Sequence, residues 1–339
     1  MFSEKKGNAK IPFSYYIGYG IFYMMQGYSM TFLPFFMPGY MTRVLGLSVV
    51  DAATIMSIVF IPWAIKILPG IVSDAVPWGR FGRRRPYIAL MSIVAAFSAF
   101  GLMLITQYST LFVVLLFCFY LGVAFTDAVT DALALDAVPR ERYGFMLGIG
   151  WGCRAAGACL AGIFGALLLE VYGWSAAFLS AGIPCLLMTA SLAMKEPKMT
   201  TEKRITKALL KEIFTSKHFY IGLVFFPLSW IAMGGLMFFE PFCIEIAKFS
   251  ETQAGSLIAL NYLGMFIGAP LGGRIADKIG HKRGYFIFTF LWASSIASFT
   301  LIGFGGYVIA LVILCVYGFF DGMFSSAQMA VAGDLIPLH

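Results

Sequence analysis

The segment Lys66–Ile88, KILPGIVSDAVPWGRFGRRRPYI, leaves one membrane-length apolar run and enters another, with Arg80, Arg83, Arg84 and Arg85 packed between them. A loop this basic between two apolar runs is retained on the cytoplasmic side of a membrane, so the polarity of the whole chain is tied to it. Asp74 follows Gly70 by four residues, a spacing that predicts close helix approach just before the turn. A weaker copy, GRIADKIGHKR from Gly273 to Arg283, again lies between two apolar runs. Two copies of one loop imply a duplicated membrane protein.

Composition agrees. The chain is 60% hydrophobic and 12% charged, with a mean hydropathy of +0.84, whereas soluble domains carry roughly a quarter charged residues. The six cysteines (Cys118, Cys153, Cys159, Cys185, Cys243, Cys315) all fall in apolar runs without a CxxC pair, so they read as small buried residues rather than disulfides or metal ligands. The first apolar run is too long for a signal peptide and has no small-residue cleavage site after it.

Ten runs long enough to span a bilayer can be drawn, at approximately 12–37, 51–72, 86–106, 110–134, 144–169, 174–194, 218–243, 252–275, 284–303 and 306–332. Their connections alternate in charge. Twenty of the 24 basic residues fall before the first run or in the connections on one side; the other side holds Arg43 and Lys248. That asymmetry places the N-terminus in the cytoplasm and excludes a solvated nucleic-acid-binding patch as the meaning of the net charge of +7. The polar connection Lys195–Lys217 contains ITKALLKEIF, an amphipathic stretch that predicts a short surface helix. It divides the chain into a six-helix half, 1–194, a linker, 195–217, and a four-helix portion, 218–339.

The repeat is arithmetic as well as visual. Gly82 and Gly280, Asp136 and Asp334, and Pro139 and Pro337 share one offset of 198, while Gly70 and Gly273, and Asp74 and Asp277, share 203. The first loop therefore holds about five extra residues around PWGRF. Parallel halves of six helices form the transporter architecture with the substrate site at the midplane between them. AGDLIPLH matches ALDAVPRE, which precedes the fifth helix in the first half, so helices eleven and twelve are expected to be missing from an otherwise all-α integral membrane fold; the chain reads as a truncated product or part of a longer protein.

Both loops resemble the loop signature of the major facilitator superfamily, and the resemblance runs over the whole chain. Within it, IPWAIKILPGIVSD resembles the second helix of folate–biopterin transporters and of the muropeptide and acetyl-CoA permeases, which carry a Lys at this position. TDAVTDALALDAVPRERYG resembles their fourth helix, and GRFGRRRPYI is also similar to sucrose and glycoside–cation symporters. The chain lacks an Arg in the fourth helix and a Gly-Pro pair in the fifth, which departs from proton-coupled drug antiporters. The resemblance implies secondary active transport of a small polar solute, anionic or a glycoside, by alternating access.

Intramembrane charges are costly and need partners or a watery cavity. At ~1.5 Å per residue from the cytoplasmic ends marked by Asp74 and Asp136, Lys66, Asp127 and Arg154 all lie ~12–15 Å deep, close to the midplane. Asp131 lies one turn from Asp127 on the same face. These four form the leading candidate site, with two cations to suit an anionic solute and a carboxylate to carry H+; a buried structural pair of Lys66 with Asp131 is the plainer alternative. Tyr15, Tyr19, Tyr23 and Gln26 share one face of the first helix and are expected to wall the cavity or pack. Asp321 is expected opposite Asp127, Glu240 is expected at the interface near the outer end of the seventh run, and Asn261 and Gln328 are weaker candidates. Gly144, Gly148, Gly152 and Ala156 form a small-residue stripe for close packing. Asp74 with Arg84 and Arg85, and Asp277 with Lys282 and Arg283, are expected to form cytoplasmic gates, with Arg83, Asp136 and Asp334 in the same networks.

Two rival classes were weighed. Asp127, Asp131 and Asp136 would suit Mg²⁺-dependent prenyl transfer, but a second aspartate cluster is missing, as are HExxH and GxSxG. A non-transporting member of the same fold is the other. The expectation is therefore a membrane protein that is not an enzyme, with a small-molecule substrate, H+ as candidate co-substrate, the lipid bilayer around it, no nucleic acid, no cofactor or metal, and a monomeric state.

Overall fold

The structure, a computed structural model, describes residues 11–78, 81–138, 143–196 and 238–334, together with positions 215, 217, 220, 221 and 224. The expected linker helix, most of the seventh run, and Arg80, Arg140 and Arg142 lie outside the described residues. The remainder is helical: α1 (Phe13–Arg43), α2 (Val49–Val59), α3 (Ile61–Ala64), α4 (Ile67–Ala75), α5 (Arg85–Leu102), α6 (Thr110–Ala137), α7 (Tyr143–Leu160), α8 (Ala166–Leu187), α9 (Glu251–Ile279), α10 (His281–Ala297) and α11 (Ile302–Asp334). Six helical stretches among the described residues are long and apolar enough to cross a membrane. Large apolar side chains such as Phe97, Phe290, Val308 and Val312 stand exposed along them, a surface that a bilayer covers and water does not. The chain is an all-α integral membrane protein.

The second run departs from the continuous helix expected over 51–72. It is broken at Phe60 and again at Ile65–Lys66, giving α2, α3 and α4. Pro62 and Pro69 fall in the first turns of α3 and α4, where the missing amide N–H costs no intrahelical hydrogen bond, so a restart of the helix is favoured at each. Lys66 sits at the N-cap of α4 as a result.

Where helices pack most tightly, a missing side chain sets the distance. A Cβ at Gly157 would lie 1.8 Å from the Met24 carbonyl oxygen, and one at Gly27 would lie 2.2 Å from that of Arg154. Backbone therefore meets backbone between α1 and α7. Of the expected stripe, the surroundings of Gly144 and Gly148 lie outside the described residues and Gly152 makes no close approach, a Cβ there lying 3.7 Å from the Phe266 ring, whereas Gly150 packs on Tyr19 and Tyr23. The two helices run parallel, because Gly20 meets Cys153 and Gly165 meets Phe32. After Gly173 the direction is opposite: Gly18 meets Ala190, Ser29 donates to the Ala181 carbonyl, and Tyr40 packs on Trp174. The chain thus reverses at one residue, Gly173, with φ 74°. Gly306, φ 69°, does the same between α10 and the body of α11, whose Tyr317 and Phe324 pack back on Trp292. Only glycine adopts that backbone region without strain.

Gly70 does not carry the close approach expected of it. Nothing lies within 4 Å of a Cβ built there, and Gly273 meets only Ser326 at 3.9 Å. The second pair of parallel helices is instead locked by Gly318, whose Cβ would lie 1.8 Å from the Asn261 carbonyl, and by Gly268, whose Cβ would lie 2.0 Å from that of Phe319.

Candidate functional site

Three groups of charges can be separated. The first lies at the end of the N-terminal helices marked by Asp74 and Asp136. Arg83 and Arg84 both bridge these carboxylates, Arg83 to Asp74 at 2.9 Å and Arg84 to Asp74 at 3.0 Å and Asp136 at 2.8 Å, with a further Arg83–Asp136 pair. Glu196 closes the network by accepting from the backbone N–H groups of Arg83 and Arg84, each at 3.0 Å. Arg85, expected to pair with Asp74, donates instead to the Leu192 carbonyl at 3.0 Å. Its position at the start of α5 turns it away from the helix ends that its two neighbours join.

The second loop behaves differently from its expected copy. Asp277 lies 3.2 Å from His281 Nε2 and pairs with neither Lys282 nor Arg283. Here α9 runs to Ile279 and α10 starts at His281, with Gly280 alone between them. Without the five extra residues of the first loop, Lys282 and Arg283 are held in the first turn of α10 and cannot fold back. The side chain of Asp334 lies outside the described residues.

The second group is buried in the N-terminal helices. Lys66 pairs with Asp127, whose other oxygen accepts from Gln26 Nε2. Asp131, one turn along α6, accepts from Tyr19 at 2.6 Å and Tyr23 at 2.5 Å. Lys66 thus selects Asp127 and not Asp131. Tyr19, Tyr23 and Gln26 hold two carboxylates and do not line the cavity that Arg154 enters. Lys66 remains about one-third exposed (34%) while Asp127 is 1% exposed, so the pair is open at one end only.

Arg154 lies beside that group without pairing with its carboxylates: Lys66 Nζ stands 5.1 Å from the Trp63 ring centroid, over which the arginine also lies. Its guanidinium lies over Trp151 at 5.2 Å and Trp63 at 5.9 Å from the ring centroids, a cation–π contact, and it forms no ion pair among the described residues. The close α1–α7 contact at Gly27 fixes the backbone of Arg154 and sends its side chain toward a cavity of about 130 Å³ between α1, α7, α9 and α11. Asp321 and Asn261 line the same cavity from the other helices, together with Phe35, Tyr262 and Tyr317. Asp321 Oδ1 and Asn261 Oδ1 are buried without a hydrogen-bond partner. Gln328, two turns beyond Asp321, is also buried with its amide unpartnered.

The third group, at the far end of α1, was not foreseen. Arg43 pairs with Glu240 and, at 3.0 Å, with Glu251 at the start of α9. Glu240 is fully buried. Nearby, Glu170 accepts from the Thr252 N–H at 2.7 Å, and a Cβ at Gly255 would lie 2.0 Å from the Gly162 carbonyl. The N-terminal and C-terminal helices are therefore clasped at this end. The available signal was the isolation of Arg43 as one of two cations on its side of the membrane.

Long apolar helices and two parallel-packed pairs, with a mainly apolar cavity carrying Arg154, Asn261 and Asp321 between them, make up the architecture. The family model of the Major Facilitator Superfamily matches residues 16–339, and the chain belongs to that superfamily. It is 27% identical over 170 residues to "Probable folate-biopterin transporter 4" of Arabidopsis thaliana, covering 48% of this chain and 34% of that protein. It is 30% identical over 169 residues to "Folate-biopterin transporter" of Synechocystis sp. (strain ATCC 27184 / PCC 6803 / Kazusa), covering 47% and 33%. These matches span about a third of the relatives' length. Among solved structures, that of a D-xylose–proton symporter superposes with a TM-score of 0.68 at 16% identity, covering 96% of this chain and 88% of that one. That likeness is one of fold.

Proposed function

We propose that the chain moves a small polar solute across a membrane by alternating access, with the solute seated in the cavity between α1, α7, α9 and α11. The observation that carries this is the pairing of sides: Arg154 reaches the cavity from the N-terminal helices, Asp321 and Asn261 from the C-terminal ones. A solute held by both groups is released when they part, which is the requirement of alternating access. The clasp of Arg43 with Glu240 and Glu251 at one end supports a cavity reached from the other. The basic connections support a cytoplasmic N-terminus, the fold supports a monomeric transporting unit, and Asp321 supplies a carboxylate able to exchange H+. The relatives named as folate–biopterin transporters make pterins and folates the first solutes to try. The test is uptake of labelled pterins, folates, nucleosides and monosaccharides into proteoliposomes holding the purified chain. Accumulation of at least one solute, abolished by Met265→Trp, which fills the cavity without altering charge, is the expected result. No accumulation of any, or uptake indifferent to Met265→Trp, would overturn it.

A further inference from the structure

Of the charged side chains set within the helices, Lys66, Asp127, Asp131, Arg43 and Glu240 are matched by partners inside the protein. Arg154 and Asp321 have no ion-pair partner among the described residues. Both line one cavity, they are not within ion-pairing distance of one another, and no carboxylate or base among the described residues pairs with either. Asp321 is buried with no cation beside it among the described residues, and the half-buried Arg154 is held only over tryptophan rings, so neither charge is compensated by an opposite one. The same walls leave Asn261 Oδ1 unpartnered beside the carboxylate, because Gly318 lets α9 and α11 close until that oxygen would be 2.8 Å from a Cβ there.

From this, and resting on the reading of the cavity as the transport site, we infer that the solute is a planar ring compound of opposite polarity at its two ends. An anionic group meets Arg154, and an N–H-rich, cationic edge meets Asp321 and Asn261. A guanidinium forks two N–H groups onto a carboxylate, and a carboxylate accepts two from an amidine-like edge, so both ends are read in pairs. Between them the walls are the flat faces of Trp151, Tyr262 and Phe35, and the volume of about 130 Å³ is that of a single small ring system or about four waters. A simple anion would satisfy Arg154 and leave Asp321 desolvated and unmatched. A neutral sugar would match neither charge. Because the two charges stand on different helix groups, only a solute with both ends joins them.

The test uses three rigid probes that differ only in their ends: benzoate, benzamidine and 4-amidinobenzoate. Affinities are measured by calorimetry on the full chain in lipid nanodiscs. The expected result is that 4-amidinobenzoate binds at least ten-fold more tightly than either single-ended probe. Asp321→Asn collapses its advantage over benzoate, and Arg154→Gln collapses its advantage over benzamidine. The wild-type ratios stand without any variant, so a variant that misfolds does not remove the test. Equal binding of the three probes, an advantage over benzoate that survives Asp321→Asn, or no binding at all would overturn the inference. If uptake is cavity-dependent while the three probes bind alike, transport stands and only the polarity assignment falls. If the probe ratios hold while no solute is taken up, the polarity assignment stands and the transport reading falls.

Discussion

The Lys66–Asp127 pair predicts an asymmetric response to removing its partners. Asp127 is 1% exposed and Lys66 is 34% exposed. Lys66→Met leaves a carboxylate in a nearly dry site with only Gln26 as donor, and an uncompensated buried charge costs about 3–5 kcal/mol. Asp127→Asn removes the charge that needed a partner. Its amide still accepts from Gln26, and the Lys66 ammonium, one-third exposed and over the Trp63 ring, is not enclosed, so the loss is about 1–2 kcal/mol, the scale of one charge-assisted hydrogen bond. Lys66→Met with Asp127→Leu removes both desolvation terms and is less destabilising than Lys66→Met alone. With about 2 °C per kcal/mol for a chain of this size, Lys66→Met lowers the melting temperature by about 6–10 °C and Asp127→Asn by about 2–4 °C. Thermal unfolding of the purified chain, followed by tryptophan emission, reads the order directly. An Asp127→Asn loss as large as that of Lys66→Met, or a double variant no more stable than Lys66→Met, would refute the asymmetry.

Gly157→Leu places a side chain where only 1.8 Å separates a Cβ from the Met24 carbonyl, so folded protein should be lost from membranes, whereas Gly152→Ala, whose Cβ would meet the Phe266 ring at an ordinary 3.7 Å, should express normally by size-exclusion profile. Arg43→Gln strands the fully buried Glu240 and should lower stability by about 3–5 kcal/mol, while Glu251→Gln, at a part-exposed site, costs under about 1 kcal/mol in the same melting assay. Arg84→Gln breaks contacts to Asp74 and Asp136 together and should accelerate protease cleavage of the Val76–Arg84 loop several-fold; Arg85→Gln, with its one bond to Leu192, should change it far less.

Hydropathy and charge alternation made most of the helices legible, including the boundaries beside Gly173 and Gly306. The break in the second run was also written in the chain, as Pro62 and Pro69, but an apolar average does not weigh a missing N–H. Partner choice was legible in part: Asp74 with Arg84 and Lys66 with Asp127 were expected and are found, while the contacts of Arg85, Arg154 and Arg43 were not. Depth along a helix follows from counting residues, and it places Lys66, Asp127 and Arg154 at one level. Which way each side chain points depends on rotation, and for Arg154 that is set by the contact of Gly27 with its carbonyl. The same limit hid Arg43 and Glu240, nearly two hundred residues apart in sequence. The two loops share a motif but not a geometry, because five residues more or fewer decide whether an arginine can fold back.

The reversals at Gly173 and Gly306 have a mechanical consequence. A turn of one residue has no spare contour length, so the two spans it joins cannot slide past one another by even a helical turn without unravelling an end. Each hairpin is a lever of fixed shape, and displacement of the solute-binding walls has to come from tilting whole hairpins, with the longer connections supplying the slack.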